Sequence, residues 1–137
     1  ENARLYLPSD LSMIVWSRGC SSTLVSLEAW LCHAKTVDAL HNVWNYLRMR
    51  TYLSQFKIKN ITGQVANTRA CSMLSWVESK IASSVSRYHR SRAAYMTLQG
   101  PSQWEKVLQV LKPEDVQGLN KSNLKEMEWM EGERSVK

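Results

Sequence analysis

From Ser22 to Leu98 apolar residues recur at steps of three and four, with one polar interruption around Asn60 to Gln64. The first row is Leu24, Leu27, Leu31, Ala34, Val37, Leu40, Trp44 and Leu47. The second is Leu74, Val77, Ile81, Ser84, Tyr88, Arg92 and Tyr95, widened by Met73 and Val85. Such spacing follows the 3.6-residue turn of an α-helix, and neither stretch shows the period-two alternation of a strand. It predicts helices over 22–57 and 67–98, each of thirty-odd residues and roughly 50 Å long. Ser21 or Ser22 can cap the first helix, and Asn67 or Thr68 the second, because a side-chain oxygen accepts from the free amides of a first turn. Gly63 can take a left-handed conformation at low cost in the loop between them. Neither stripe can bury itself alone. The expected fold is therefore all-α: a long antiparallel helical hairpin with further cover from the flanks.

The flanks are shorter and more broken. Residues 1–20 predict an extended or irregular arm, since Pro8 interrupts any early helix and Gly19 ends the segment. After the second long helix, Gly100-Pro101 supplies a stop and a new start. Ser102 to Leu111 predicts a third helix with Trp104, Val107, Leu108 and Leu111 on one face, and Pro113 to Val116 a single turn. These short helices cover 102–120. The remainder, 121–137, predicts an amphipathic tail that frays. The whole of 1–137 is long enough for one domain with a core.

Charge is concentrated in the middle. The formal net charge is +6. Residues 1–38 carry −1, residues 39–104 carry +8 and residues 105–137 carry −1. Between Asp38 and Glu78 there is no carboxylate, while Arg48, Arg50, Lys57, Lys59 and Arg69 fall there. Residues just before and after a hairpin turn lie close in space, so these five are expected to form one basic tip. Phe56 is expected to anchor that turn in the core. A field of this kind favours phosphate-rich partners and makes binding salt-sensitive. The competing reading is a solvated face that keeps the protein dispersed. Arg87, Arg90 and Arg92 add a second basic row, with Arg92 tilting toward the stripe.

Other chemistry is sparse. Cys20, Cys32 and Cys71 are odd in number and far apart, which fits a reducing compartment, nuclear or cytoplasmic, better than a disulfide framework. Close ligand pairs are lacking, so no metal site and no cofactor are expected. His33, His41 and His89 are expected on helix surfaces. No serine sits in a nucleophile elbow, and the solitary Gly63 is no phosphate loop. Helix-turn-helix, zinc-finger and RNA-recognition patterns are missing, so base-specific readout is unsupported. No stretch approaches about 18 apolar residues, so no membrane span is expected. The chain opens on Glu1 instead of Met, as expected of a fragment, a processed chain or a partly represented one.

Several longer runs carry a resemblance. They are Leu7-Pro8-Ser9, Ala39-Leu40, FKIKNITGQVANTRA from Phe56 to Ala70, and SRYHRSRAAYMTL from Ser86 to Leu98. Gly100-Pro101, Trp104-Glu105-Lys106 and LKPEDVQGLN from Leu111 to Asn120 follow in order. Together they resemble the C-terminal region of the Kyakuja–Dileera–Zisupton (KDZ) transposases of mushroom-forming fungi. That family carries a Phe-Lys-x-Lys-Asn-x-x-Gly-Gln-x-x-Asn-Thr-Arg turn in a helical hairpin, then Arg-Tyr-x-x-x-Arg-x-Ala and Leu-x-x-Glu-Asp-Val-x-Gly. The resemblance spans nearly the whole chain. It implies a piece of a nuclear protein that moves DNA, whose catalysis belongs to an RNase-H-like core with an acidic triad and divalent metal. Such a core needs a sheet, and none is predicted here, so this chain is expected to be non-catalytic. Trp16, Trp30, Trp44, Trp76 and Trp129 stand where the family is expected to have smaller or charged residues. Trp30 and Trp76 fall beside the predicted seam, so a third layer or a symmetric dimer is expected to cover them. Beside a small enzyme with an unrecognised site, two readings follow. One is an accessory helical module that holds DNA phosphates without sequence preference. The other is a repurposed interaction protein, partnered by itself or another protein, without DNA binding.

Overall fold

The computed structural model describes residues 5–117, and among them every regular element is helical and no strand occurs. A 3-10 turn at Pro8–Asp10 precedes α1, Met13–Gly19. The long α2, Ser22–Asn60, and α3, Gln64–Gln99, follow, and a second 3-10 turn occupies Gln103–Lys106. The long helices pack against each other, as their periodicity predicts. They run three residues further toward the loop than predicted on each side, leaving only Ile61, Thr62 and Gly63 between them. Gly63, at φ +95°, accepts from the Asn67 amide through its carbonyl and so serves as the start of α3. Thr68 is not a cap: its hydroxyl bonds back to the Gln64 carbonyl. Ser21 does cap α2, its Oγ accepting from the Leu24 amide at 3.2 Å. The predicted tail, 121–137, lies outside the described residues.

The chain separates into two compact units. The first comprises the described residues up to Asn42 with Ala82–Leu111; the second comprises Val43–Ile81 with the described residues from Lys112 on. In the first unit Ala29, Cys32, Thr36 and Ala39 of α2 are buried, as are Ser84, Tyr88 and Ser91 of α3. In the second, Val43 and Leu47 are buried, with Val77 and Ile81.

The seam on α3 is the predicted one at Val77, Ile81, Ser84 and Tyr88, whereas on α2 only Leu47 of the predicted row is buried. Leu24, Leu27, Leu31, Val37 and Trp44 are all more than 40% exposed. The physical reason is pitch. The predicted row advances about 3.3 residues per step and so winds around a helix of 3.6 residues per turn. The buried row, 29, 32, 36, 39, 43 and 47, covers 18 residues in five steps, which is the helical repeat itself. That row is made largely of small residues. The Thr36 hydroxyl is satisfied within its own helix, donating to the Cys32 carbonyl at 2.7 Å. Trp30 at 67% and Trp76 at 51% remain exposed, and Trp44 at 46% joins them. No third layer of the chain covers them among the described residues.

The flanks also differ from expectation. The arm is not extended throughout: α1 forms once the chain is five residues beyond Pro8, where the proline ring no longer constrains it. Buried Glu28 pins the arm, accepting from the Ser9 amide at 3.1 Å and from the Ser9 hydroxyl. The predicted helix over 102–111 shrinks to the four-residue 3-10 turn. Beyond that turn the Gln109 and Leu108 carbonyls are met by side chains of α3 and not by amides of a continuing helix. The Tyr88 hydroxyl donates to the Gln109 carbonyl, and Arg92 Nε donates to the Leu108 carbonyl at 2.7 Å. The segment thus crosses α3 in an irregular path with Leu108 buried and Val107 78% exposed. Trp104 supports the crossing. Its indole donates to the Gly100 carbonyl at 3.1 Å, its ring lies 4.8 Å from Tyr95, and the Arg92 guanidinium sits 5.3 Å from its centroid.

Candidate nucleic-acid interface

All five predicted tip cations belong to the second unit, but their surroundings differ. Arg48 is half-buried, with its guanidinium 4.7 Å from the centroid of Trp44, one turn back on the same helix. Arg50 reaches across to α3. Its Nη1 lies 2.9 and 3.2 Å from the two Glu78 oxygens, and its Nη2 donates to the Val116 carbonyl at 3.1 Å. Only 18% of its side chain is exposed. Arg50 is therefore a structural clamp, engaged by the first carboxylate beyond the carboxylate-free run. Lys57 Nζ lies 3.0 Å from Cys71 Sγ, and Lys59 and Arg69 are exposed.

The sequence alone does not reveal the Arg50–Glu78 pair, although the hairpin register contains it. Lys57 meets Cys71, and seven residues back along α2 and seven on along α3, Arg50 meets Glu78. Seven residues make about two turns, so the same faces meet again.

Local sequence explains why these cations stand where they do. Lys57 and Lys59 occupy the last turn of α2, where free carbonyls favour positive charge. The first turn of α3 holds no acidic residue, so its free amides are uncompensated, and Arg69 lies in its second turn. The negative end of α2 and the positive end of α3 lie together at the tip, so its net positive charge comes from the side chains.

Between the cations lies apolar surface. Phe56 is 56% exposed and is not the predicted core anchor. It emerges because the short Ile61–Gly63 connection gives α2 an extra turn beyond residue 57, with no chain left to cover it. Phe56 and Leu53 line two adjoining clefts. One, of about 430 Å³, also takes in Tyr52, Gln55, Lys59 and Asn60. The other, of about 330 Å³, is walled by Leu53, Phe56, Ile61, Ala66, Ala70 and Met73 together with Arg69. The ring thus stands between one cleft carrying Lys59 and another carrying Arg69.

The second basic row divides as expected: Arg87 and Arg90 are exposed, whereas Arg92 turns inward to Leu108 and Glu105. Of the cysteines, Cys32 is buried and Cys71 exposed. Among the described residues no group of three His, Cys, Asp or Glu side chains could hold a metal ion, and no helix is long and apolar enough to cross a membrane. Comparison of the chain with protein-family models, curated proteins and solved structures returns no match.

Proposed function

We propose that this chain is a non-catalytic helical module of a KDZ-type transposase, acting in the nucleus, whose tip holds nucleic-acid phosphates without reading sequence. The observation that carries the reading is the carboxylate-free run from 39 to 77, which contains five cations and folds into a single turn. Arg50 is committed to Glu78 and Arg48 to Trp44. The phosphates therefore fall to Lys59 and Arg69, with Lys57 behind them and the bare start of α3 adding its amides. The exposed ring of Phe56 between them is a surface on which an unpaired base can stack. Replacing Lys59 and Arg69 with Glu should weaken binding to duplex DNA of any sequence. It should also lower the slope of log affinity against log salt by about 1.8, at roughly 0.9 for each phosphate no longer neutralised. Both side chains are exposed, so helix content should hold. Absence of DNA retention by the parent chain at low salt would reject the reading.

A second reading rests on a different observation: the larger apolar side chains of α2 point outward. In the first unit Leu27, Trp30, Leu31 and Val37 are exposed; in the second, Trp44, Met49 and Tyr52 are. A face of this composition suits a second copy of the chain, as in an oligomerisation module without DNA binding. The two readings separate by solution mass and DNA retention measured on the same sample.

A further inference from the structure

The cleft walled by Phe56, Ile61, Ala70 and Met73 is apolar, open at the tip of the second unit, and carries Arg69. At about 330 Å³ it lies at the small end of ligand-pocket volumes. That size suits one large side chain. With Arg69 in this cleft and Lys59 in the adjoining one, its best occupant is an apolar group flanked by carboxylates. The chain contains one such segment outside the described residues: Glu126-Met127-Glu128-Trp129-Met130-Glu131-Gly132-Glu133, with four acids and no base.

We propose that the segment 126–133 docks onto the tip, Trp129 entering the cleft and its neighbouring glutamates facing Lys59 and Arg69, so that it competes with nucleic-acid phosphates. The competition rests on the phosphate-binding reading of the tip; the docking does not. Reach permits it. The chain is held at Val116, whose carbonyl accepts from Arg50 Nη2. Phe56 lies six residues from Arg50 along α2, about 9 Å at helical rise. Nine residues lie between Val116 and Glu126, and the ten steps from one to the other extend to about 33 Å. Trp is also the side chain that most often anchors an interface by filling a pocket. The arrangement would make the acidic segment a built-in substitute for a phosphate backbone, displaced by a longer polyanion.

Zero-length carbodiimide cross-linking of the full chain tests the docking, with peptide mass mapping and a mixture of light and isotopically heavy chains. The expected result is a link from Lys57 or Lys59 to one of Glu126, Glu128, Glu131 or Glu133, formed within one chain. The link should be lost in Trp129→Ser and again in Phe56→Ala, the latter a change at an exposed side chain. No such link, links only between light and heavy chains, or links that survive both variants would overturn the docking. Duplex DNA then tests the competition. Changing the four glutamates to Gln should raise affinity about tenfold. Unchanged affinity in a chain that does bind DNA would overturn the competition. Failure of both parent and variant to bind would reject the phosphate-binding reading, and the competition with it, while the docking would still stand or fall on the cross-link.

Discussion

Ala39 has no solvent exposure, and its position in the α2 seam is set by what it lacks. With Ala29, Cys32 and Thr36 it forms a buried row of small residues, while Tyr88, at 1% exposure, is the largest fully buried side chain of the first unit. A larger residue would have to displace α3 or leave its preferred rotamer. Ala39→Leu should therefore destabilise the fold by about 1–3 kcal/mol, read as a lower urea midpoint with unchanged slope. The same residue shows what the sequence can reveal. Hydrophobicity ranks Leu24, Leu27, Leu31 and Trp44 above Ala39, and a row built on the strongest hydrophobes lands on the outer face. Ala29, Cys32, Thr36 and Ala39 keep the helical repeat better but carry little apolar signal. On α3 the two criteria agree at Val77, Ile81 and Tyr88, and there the seam is legible.

At the scale of elements, the long helices are readable because their polar interruption is short and contains Gly63. Their ends are not, because Asn67 and Thr68 have the chemistry of caps while the glycine itself begins α3. The segment after Gly100 misleads for a reason of the same kind. Its apolar spacing is helical, but Tyr88 and Arg92 of α3 donate to the Gln109 and Leu108 carbonyls and hold the segment in an irregular path. Tyr88→Phe isolates that effect. The ring stays, the Gln109 carbonyl loses its donor, and the cost should be about 1–3 kcal/mol. Amide exchange over residues 103–111 should quicken, while the buried amides of α2 keep their protection. Equal protection of 103–111 in the variant would show that packing of Leu108 alone holds the segment. At the tip, composition supplies the cations and their sign. It does not distinguish Arg50, drawn to Glu78 two turns further along α3, from the exposed Lys59 and Arg69. It also places Phe56 inside when the tightness of the turn keeps it out.

The molecule as a whole carries a basic middle between flanks of slight negative charge, and two of its buried groups make its stability depend on alkaline pH. Burial pushes the Cys32 thiol up from its ordinary 9.0; the Glu28 carboxylate adds to the rise and Lys35 opposes it. Burial also raises the Tyr88 phenol from 10.0, against the charge and hydrogen bond of Arg92. In the unfolded chain both protons leave first. The stability they confer is thus complete below pH 9 and declines as pH rises through the ordinary values toward the raised ones. The urea midpoint should hold up to about pH 9 and fall from there to about pH 10.5, and Cys32→Ala should flatten the first part of that fall. A midpoint constant over that range would show that neither group resists ionisation in the folded chain.

Arg50 binds Glu78 on one helix and the Val116 carbonyl on the segment that follows Pro113. A pull on Val116 itself is therefore delivered first to one guanidinium, three turns back from the end of α2. A tether fastened there leaves the Ile61–Gly63 turn slack while whatever lies downstream is under tension. Without that fastening, as in Arg50→Ala, the same pull would run up the chain to Pro113 and begin to peel Leu108 from its seat.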